Sequence, residues 1–295
     1  MNSSQNPDVK ISIITACLNA ERTLEQTIGS VLAQNYPNLE YIVIDGCSSD
    51  GTLGIIEKYR NKLSYVVSEP DNGIYDAFNK GIRIASGDVI GILNADDFYA
   101  PWTLEAVARA YGDVPACDVL YGKVAVIDET ESDWKVYSIG SPNDLTDRMS
   151  LSHPAVFLPG RTYGRWGLFD STYKITGDWD YMLRLFSDGA TFTPIDEVLT
   201  AFRFSGVSSF MSRRHLKENR LVYERRLDWW MARRKILKMY AKYLARRVMK
   251  ATGMYGTYAS CRDRHIFRVE RSGEYCGDAS RMWETLRVGS DSLRL

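Results

Sequence analysis

The feature that most constrains the fold of this chain is the regular alternation of strand-like and helix-like segments over residues 9–112. β-Branched or apolar runs predict four strands, at residues 10–16, 39–45, 63–68 and 88–93. Helical spacing of apolar residues predicts three helices between them, at residues 21–34, 52–60 and 74–85. Such alternation predicts an α/β fold with a mostly parallel, Rossmann-type sheet flanked by helices. Ligands of these sheets bind at the carboxyl ends of the strands.

The remainder of the chain is less regular. Residues 118–127 are predicted to form a strand, residues 178–186 a helix, and residues 191–204 two short strands. From Gly206 to Gly253 no other Gly or Pro interrupts the sequence, which predicts a long basic helix or a pair of helices.

The composition is that of an ordinary globular protein, with 45% hydrophobic and 25% charged residues and zero formal net charge. The charge is unevenly spread, because residues 213–250 hold 14 Lys and Arg against 3 Asp and Glu. The five cysteines are dispersed and form no CxxC pair, so neither a disulfide framework nor a zinc site is expected. Residues 1–8 are polar, are expected to be disordered and do not resemble a signal peptide. The sequence contains no run of 18 apolar residues, so no membrane-spanning helix is predicted. A reducing, cytoplasmic location is therefore expected.

Carboxylates follow two of the predicted strands. Asp45 ends the second strand, and Asp96 and Asp97 follow the fourth. Adjacent carboxylates repel each other, but they suit a hard cation such as Mg²⁺ or Mn²⁺ whose coordination shell is completed by substrate phosphates. The alternative is that one of the two caps the helix predicted to begin near Pro101.

The loop at residues 45–52 is dense in turn-forming residues. It could present backbone N–H groups and an aspartate to a nucleotide. The alternative is a plain link between strand and helix, in which Asp50 or Thr52 caps the helix.

Four motifs occur in a defined order: ISIITACLN at 11–19, IVIDGCSSDGT at 42–52, SEPDNGIYDAFNKGIRIASGD at 68–88, and NADD at 94–97. Together they resemble the donor domain of glycosyltransferase family 2, which has the GT-A fold. The resemblance covers residues 9–205, and within the family the chain looks similar to bacterial enzymes of surface-polysaccharide assembly, including the colanic-acid type. It implies a donor-binding part at 9–112 and an acceptor-binding part of the same domain at 113–205. The residues beyond these, 206–295, are predicted from their charge and spacing to form a basic helical extension.

The resemblance also implies which residues contact the nucleotide sugar, with a UDP-sugar favoured. Asp45 matches the acid that contacts the nucleobase. The other residues matched to the donor site are Thr15, Leu18, Asn19, Asn79 and Lys80. Lys80 could also offset phosphate charge.

The D-x-D region of the family corresponds to residues 94–97. Asn94 stands where the family has its first aspartate, so it is expected to be a neutral contact. The resemblance therefore implies that Asp96 binds the metal, Mg²⁺ or Mn²⁺, with Asp97 in support.

The catalytic base of the family is an aspartate at the start of a helix in the acceptor half, usually within an ED motif. Asp178 matches it, although Gly177 replaces the glutamate. Asp180 is the second candidate. Such a carboxylate can deprotonate a sugar hydroxyl, while the metal stabilises the departing nucleoside diphosphate. The alternative is that Asp178 only caps its helix.

Two residues are candidates for the acceptor site. His153 precedes a predicted strand, where similar enzymes often carry a histidine near the acceptor or the diphosphate. Trp179 could stack on an acceptor sugar, although core packing would also explain it.

Within residues 213–250, apolar and aromatic residues recur at near-helical spacing among the basic ones. Such a helix can lie on an anionic membrane, which would suit a lipid-linked acceptor. Alternatively, its apolar stripe docks on the catalytic domain. No nucleic-acid-binding motif accompanies it, so nucleic acid is not expected as a partner.

The sequence thus predicts a metal-dependent, inverting glycosyltransferase of bacterial polysaccharide biosynthesis. It would transfer a sugar from a nucleoside diphosphate sugar to a hydroxyl of a glycan or lipid-linked acceptor. Two alternatives remain. One is a non-catalytic binding module, favoured by Asn94 and Gly177. The other is a nucleotidyltransferase, for which the chain lacks a basic, Gly-rich phosphate loop.

Overall fold

The computed structural model of the protein describes residues 9–129, 132–203, 212–252, 269–275, 277 and 279–291. The N-terminal stretch 1–8, Cys261 and Cys276 lie outside these residues. Within the described residues Cys17, Cys47 and Cys117 are free thiols.

The first part of the chain forms the predicted parallel sheet. Its elements are β1 Ile11–Cys17, α1 Leu24–Leu32, β2 Leu39–Asp45, α2 Thr52–Lys58, β3 Tyr65–Ser68, α3 Ile74–Ile84 and β4 Val89–Ile92. β1 lies between β2 and β4 and is parallel to both, and β3 extends the sheet beyond β2. The alternation of strands and helices predicted from the sequence is therefore confirmed.

The second part of the chain enlarges this sheet. Its elements are β5 Phe98–Tyr99, α4 Thr103–Asp113, β6 Val119–Asp128, β7 Asp133–Tyr137, β8 Val156–Pro159, α5 Gly160–Trp166, α6 Gly177–Ser187, β9 Phe192–Arg203, α7 Arg213–Arg226, α8 Trp229–Ala251, β10 Val269–Glu274 and α9 Ala279–Asp291. The strand order is β10-β7-β6-β8-β4-β1-β2-β3, and β9 pairs with β6 and β5. β8 is antiparallel to β4, so the start of β8 lies beside the end of β4.

The two short strands predicted at 191–204 are instead one strand, β9, so that prediction was wrong. β9 runs parallel to β6, and the register shifts so that Gly122 pairs with Ile195 and Lys123 with Val198. Asp196 and Glu197 are the extra residues of this bulge. A polar pair within an apolar run resembles a break between strands, whereas a bulge accommodates it within one strand.

The sheet is covered on both faces. Alternate side chains of β1, such as Ile14 on one face and Ile13 on the other, enter two separate hydrophobic clusters. Ala232 and Met239 of α8 belong to the cluster on the Ile14 face, so this helix packs on the body through one side.

The C-terminal part contributes a strand as well as helices. β10 pairs with β7 at the edge of the sheet. Trp283 of α9 packs edge-to-face on Phe98 and Trp102, and this contact covers the adjoining sheet surface.

Candidate functional site

The candidate residues gather at one edge of the sheet, where the parallel strands β1, β2 and β4 end. Asp45 is the last residue of β2, and Asn19 and Asp96 follow β1 and β4. His153 joins them because it begins the 3₁₀ turn His153–Ala155 that leads into β8, which is antiparallel to β4. This edge is where ligands bind in sheets of this type.

The carboxylate of Asp45 is fully buried and held by serine residues. It accepts hydrogen bonds from Ser48 Oγ at 2.5 Å and from Ser68 Oγ at 2.7 Å. Asn19, which has a φ of 51°, accepts a hydrogen bond from Ser49 N at 2.9 Å through its side-chain Oδ1. The loops after β1 and β2 are thereby tied together into one wall of the site.

Leu18 and Thr15 differ in their access to this wall. Leu18 is 57% exposed and can contact a ligand. Thr15 is fully buried, and its Oγ1 lies 3.1 Å from Tyr41 Oη in the core. Any contact between Thr15 and the nucleotide sugar would therefore be made by the Thr15 backbone.

Asp96 and Asp97 occupy different environments. Asp97 is fully buried and accepts a hydrogen bond from Arg203 N at 3.2 Å. Burial, together with the neighbouring charge of Asp96, raises the pKa of Asp97 well above its usual range. Asp96 is half-buried, and burial raises its pKa while the charge of Arg203 opposes that rise. Asp96 is thus the carboxylate of the pair that can reach a ligand.

The residues around Asp96 fit a divalent cation that is completed by phosphate oxygens. Asn94 Oδ1 is buried and has no hydrogen-bond partner within the part of the chain that the structure describes, while its Nδ2 faces Asp97 Oδ2 at 3.4 Å. Mg²⁺ is usually held by one or two protein carboxylates plus substrate phosphates, so a full protein cage is not needed. Among the described residues, no group of three or more Asp, Glu, His or Cys side chains is placed to hold a metal ion by itself.

Arg203 braces this corner from the end of β9. Its Nη1 donates to the backbone oxygen of Asp96 at 2.6 Å, and its Nε donates to Glu129 at 2.9 Å. Arg203 could not be identified from the sequence, because nothing local marks an arginine that lies more than 100 positions after Asp96 and Asp97.

Asp178 lies in the first turn of α6 and is half-buried. Its Oδ1 accepts a hydrogen bond from Tyr75 Oη at 3.1 Å, and the same hydroxyl lies 2.7 Å from the backbone oxygen of Ile175. Burial and the charge of Asp178 raise the pKa of Tyr75 well above 10, so this phenol stays protonated and able to donate.

Tyr75 also explains the glycine that precedes Asp178. A Cβ at Gly177 would lie 2.8 Å from the Tyr75 ring, which is itself stacked on Phe169. A larger residue at this position would displace the ring. Tyr75 therefore occupies the space beside the candidate base, a role that the sequence analysis missed.

Asp180, the second candidate base, is buried in an ion pair. Arg226 of α7 donates to it through Nε at 2.8 Å and Nη2 at 2.7 Å, and Tyr173 Oη donates at 3.3 Å. A fully buried carboxylate with these partners is suited to fastening α7 to α6 rather than to accepting a substrate proton.

His153 lies in an aromatic setting. Its ring stacks on Phe78 at 5.3 Å and meets Phe169 edge-on at 5.9 Å. Burial lowers the pKa of His153, and the charge of Asp178 opposes that effect. A neutral imidazole near Asp178 can donate or accept a hydrogen bond at an acceptor hydroxyl.

Three predicted residues have internal partners. Asn79 exchanges two hydrogen bonds with the backbone of Phe169, at 2.8 and 3.0 Å. Lys80 pairs with Glu69 at 2.9 Å. Trp179 is only 4% exposed and donates to the backbone oxygen of Leu145 at 2.7 Å, so the structure places it in the core and not on an acceptor surface.

Glu218 of α7 is a further residue that the sequence analysis missed. Its buried carboxylate accepts hydrogen bonds from the backbone N–H groups of Lys174, Ile175 and Thr176 at 2.9–3.2 Å. These residues lead directly into the first turn of α6. Glu218 thereby fixes the segment that carries Asp178.

Comparison with solved structures agrees with this architecture. The Staphylococcus aureus TarS 1–349 structure in complex with UDP-GlcNAc has a TM-score of 0.60 and 20% identity, and the match covers 73% of this chain and 66% of that one. The complex of the same protein with UDP has a TM-score of 0.58 and covers 80% and 71%. At this identity the likeness shows the fold, which is the GT-A fold.

Sequence comparison identifies the family. A PGL/p-HBAD biosynthesis glycosyltransferase of Mycobacterium bovis is 32% identical over 208 residues, which are 67% of this chain and 78% of that protein. The Staphylococcus aureus poly(ribitol-phosphate) β-N-acetylglucosaminyltransferase TarS is 34% identical over 121 residues, or 39% and 21% of the two chains. The family model for glycosyl transferase family 2 matches residues 12–172. This match over more than half of the chain shows that the protein belongs to glycosyl transferase family 2.

Proposed function

We propose that the protein transfers a sugar from a nucleoside diphosphate sugar to a hydroxyl of a glycan or lipid-linked acceptor, with inversion at the anomeric carbon. The observation that carries the proposal is the contrast within two pairs of aspartates. Asp96 and Asp178 are half-buried at one edge of the sheet, whereas Asp97 and Asp180 are fully buried and engaged by Arg203 and Arg226. Each pair thus leaves one carboxylate for a ligand.

The wall around Asp45 is proposed to receive the nucleobase and ribose of the donor. Its fully buried carboxylate already accepts hydrogen bonds from Ser48 N, Ser48 Oγ and Ser68 Oγ, so the proposed contact requires a nucleobase N–H to replace one of the serine hydroxyls. Leu18 offers an exposed apolar surface beside it. The UDP and UDP-GlcNAc complexes of TarS support a uridine diphosphate sugar as the donor.

Asp96, with Asn94 Oδ1 beside it, is proposed to hold Mg²⁺ or Mn²⁺, which would neutralise charge on the diphosphate. Asp97 and Arg203 keep the Asp96 backbone in place. Nucleotide binding is then expected to depend on the metal.

Asp178 is proposed to remove the proton from the acceptor hydroxyl as that oxygen attacks the anomeric carbon. Because the attack and the departure of the diphosphate occur in a single displacement, the configuration inverts. Tyr75 holds the carboxylate in position, and His153 is proposed to orient the acceptor.

The helix α8 is proposed to bring the enzyme to the anionic inner surface of the membrane. One side of α8 packs on the body, but Trp230, Leu237 and Leu244 on another side are 64–78% exposed. Exposed apolar residues flanked by cations are typical of helices that lie in a membrane interface. Among the described residues, no helix has the length and apolar content of a membrane span.

Calorimetric titration with UDP and with GDP, each with and without Mn²⁺, tests the donor site. We expect metal-dependent binding of UDP that is lost in Asp96→Asn and kept in Asp113→Asn, an exposed position at the end of α4. Absence of binding to folded wild-type protein would refute the donor site.

Activity then separates an enzyme from a binding module. Asp178→Asn is expected to bind UDP normally and to lose hydrolysis of UDP-GlcNAc, measured by UDP release. A wild-type protein that binds UDP but releases none from any UDP-sugar tested would instead be a binding module.

A further inference from the structure

The helices α7 and α8 enclose a cationic groove whose lining includes none of the aspartates of the candidate active site. The groove has a volume of about 320 Å³ and is lined by Arg213, Lys217, Arg220 and Arg247 together with Tyr240 and Tyr243. All four cationic side chains are exposed. No carboxylate is among the residues that line it.

Most of this positive charge is not neutralised by the protein. Arg220 pairs with Glu224 at 2.7 Å. Arg213, Lys217 and Arg247 form no ion pair with any residue in the described part of the chain. Three uncompensated cations around one concavity favour an anion of high charge density, such as a phosphate or diphosphate.

An exposed apolar stripe runs beside the groove. Trp230, Leu237 and Leu244 follow one another at seven-residue intervals, so they lie along one side of α8 with a drift of only about 20° per interval. Tyr240 and Arg247 lie three positions after Leu237 and Leu244, or about 60° around the helix, and line the groove. A ligand with a phosphate in the groove and an apolar chain along the stripe would satisfy both surfaces.

We propose that the groove binds the phosphate of a lipid headgroup while the apolar stripe of α8 enters the same bilayer. This proposal rests on the membrane contact proposed above and names the lipid chemistry that it recognises. A water-soluble polyanion would leave the apolar stripe exposed, and a neutral membrane would leave the three cations without partners.

The groove is close to the proposed catalytic segment. Lys217 lines the groove, and its neighbour Glu218 holds residues 174–176 ahead of Asp178 from another side of the same helix. Consecutive residues of an α-helix point about 100° apart, and the helix with its side chains is only about 10–12 Å across. A lipid phosphate in the groove would therefore lie near the acceptor half of the site.

Vesicle binding of the full chain tests the proposal. Phosphatidylcholine vesicles are doped either with phosphatidic acid, which exposes a phosphomonoester, or with phosphatidylglycerol, and the mole fractions are set to give equal zeta potentials. Two variants remove the same charge: Lys217→Gln/Arg247→Gln in the groove and Arg234→Gln/Lys242→Gln on another, exposed part of α8.

The expected result is a preference of the wild type for phosphatidic acid of about tenfold, kept by the Arg234/Lys242 variant and lost by the Lys217/Arg247 variant. Both variants should bind phosphatidylglycerol vesicles more weakly, by roughly 25-fold for two removed cations. The proposal would be overturned if the wild type bound the two anionic lipids with equal affinity, or if the groove variant kept the preference for phosphatidic acid. The binding would then be a diffuse electrostatic attraction to the membrane.

Two further outcomes would also refute the proposal. If the groove binds inorganic diphosphate at micromolar concentration and the vesicles do not displace it, the groove is a site for a soluble phosphate. Absence of vesicle binding would remove the membrane contact altogether. In either case UDP titration of the same preparation shows independently whether the proposed donor site stands.

Discussion

Breaking the ion pair between Asp180 and Arg226 is expected to destabilise the protein, and the two partners are not equivalent. Asp180 is fully buried, whereas the Arg226 side chain is 24% exposed. A guanidinium that loses its partner can turn towards water. A buried carboxylate that loses its partner cannot, so removal of the arginine should be the more damaging change.

The structure sets the magnitudes. Arg226→Met leaves Asp180 with one side-chain partner among the described residues, the Tyr173 hydroxyl at 3.3 Å, and an uncompensated charge of this kind costs about 3–5 kcal/mol. Asp180→Asn keeps an acceptor for Tyr173 and releases a partly solvated arginine, so about 1–3 kcal/mol is expected. The double variant should be more stable than the sum of the two losses implies, by about 1–3 kcal/mol.

Urea unfolding of the wild type, the two single variants and the double variant, followed by tryptophan fluorescence, gives these free energies. Asp178→Asn serves as the control, since its half-buried carboxylate contributes one hydrogen bond and should change stability by less than about 1 kcal/mol. If Asp180→Asn retains full stability but abolishes transfer, Asp180 is the base and the assignment fails. The burial argument would be refuted if Asp180→Asn lowered the free energy of unfolding as much as Arg226→Met, or more.

Three further predictions concern the start of the sheet and the segment that carries Asp178. Burial alone would raise the pKa of Glu40, but hydrogen bonds from serines and a lysine lower it from 4.5 to about 2. This lowered pKa contributes about 3 kcal/mol to the free energy of unfolding. The contribution is present above pH 4.5 and is lost as the pH falls to about 2. Glu40→Gln should therefore lower stability at pH 7 and flatten this part of the acid unfolding curve. Gly177→Ala should cost about 1–2 kcal/mol, because the added methyl group meets the Tyr75 ring at 2.8 Å, and should reduce kcat. Glu218→Gln should lower kcat with the UDP Kd unchanged, because an amide cannot accept all the N–H groups that position Asp178.

Matched variants check these three predictions. Gly164→Ala adds a methyl group where no atom lies within 4 Å, so it should leave stability unchanged or raise it by up to about 1 kcal/mol. Equal effects at Gly164 and Gly177 would contradict the steric argument. Glu224→Gln, exposed on the same helix as Glu218, should leave kcat unchanged. For Glu40→Gln, an acid limb identical to that of the wild type between pH 4.5 and 2 would show that Glu40 does not carry this stability.

The sequence predicted the local elements of the fold well, because each strand and helix of the first part carries its own hydrophobic period. β2 has the predicted bounds, and α3 differs from its prediction by one residue at one end. β9 was divided in error, because the sequence does not show whether two polar residues end a strand or form a bulge. That difference depends on the partner strand β6.

For the site, sequence could name the carboxylates but could not say which of each pair faces a ligand. Asp178 and Asp180 lie in the same helical turn with similar neighbours. Only the position of Arg226, brought in by α7, makes one of them internal. In the same way, the sequence leaves Trp179 free to stack on a sugar, whereas in the structure the Tyr223 ring of α7 packs edge-on against it, with the ring centroids 5.2 Å apart.

The bracing of Asp96 and Asp97 by Arg203 has a consequence for how the protein folds during synthesis. Strands β1 to β4 can pair as soon as they have emerged, but Arg203 follows its partners by 106 and 107 positions. Closing a loop of that length costs roughly 4 kcal/mol of chain entropy, which only the complete β9 ladder can offset. The amide of Arg203, which donates to Asp97, should therefore gain protection in pulsed hydrogen exchange after the amides of β1. A nascent chain would carry two adjacent, unbraced carboxylates until β9 has emerged, and this corner of the sheet would be the last part to close.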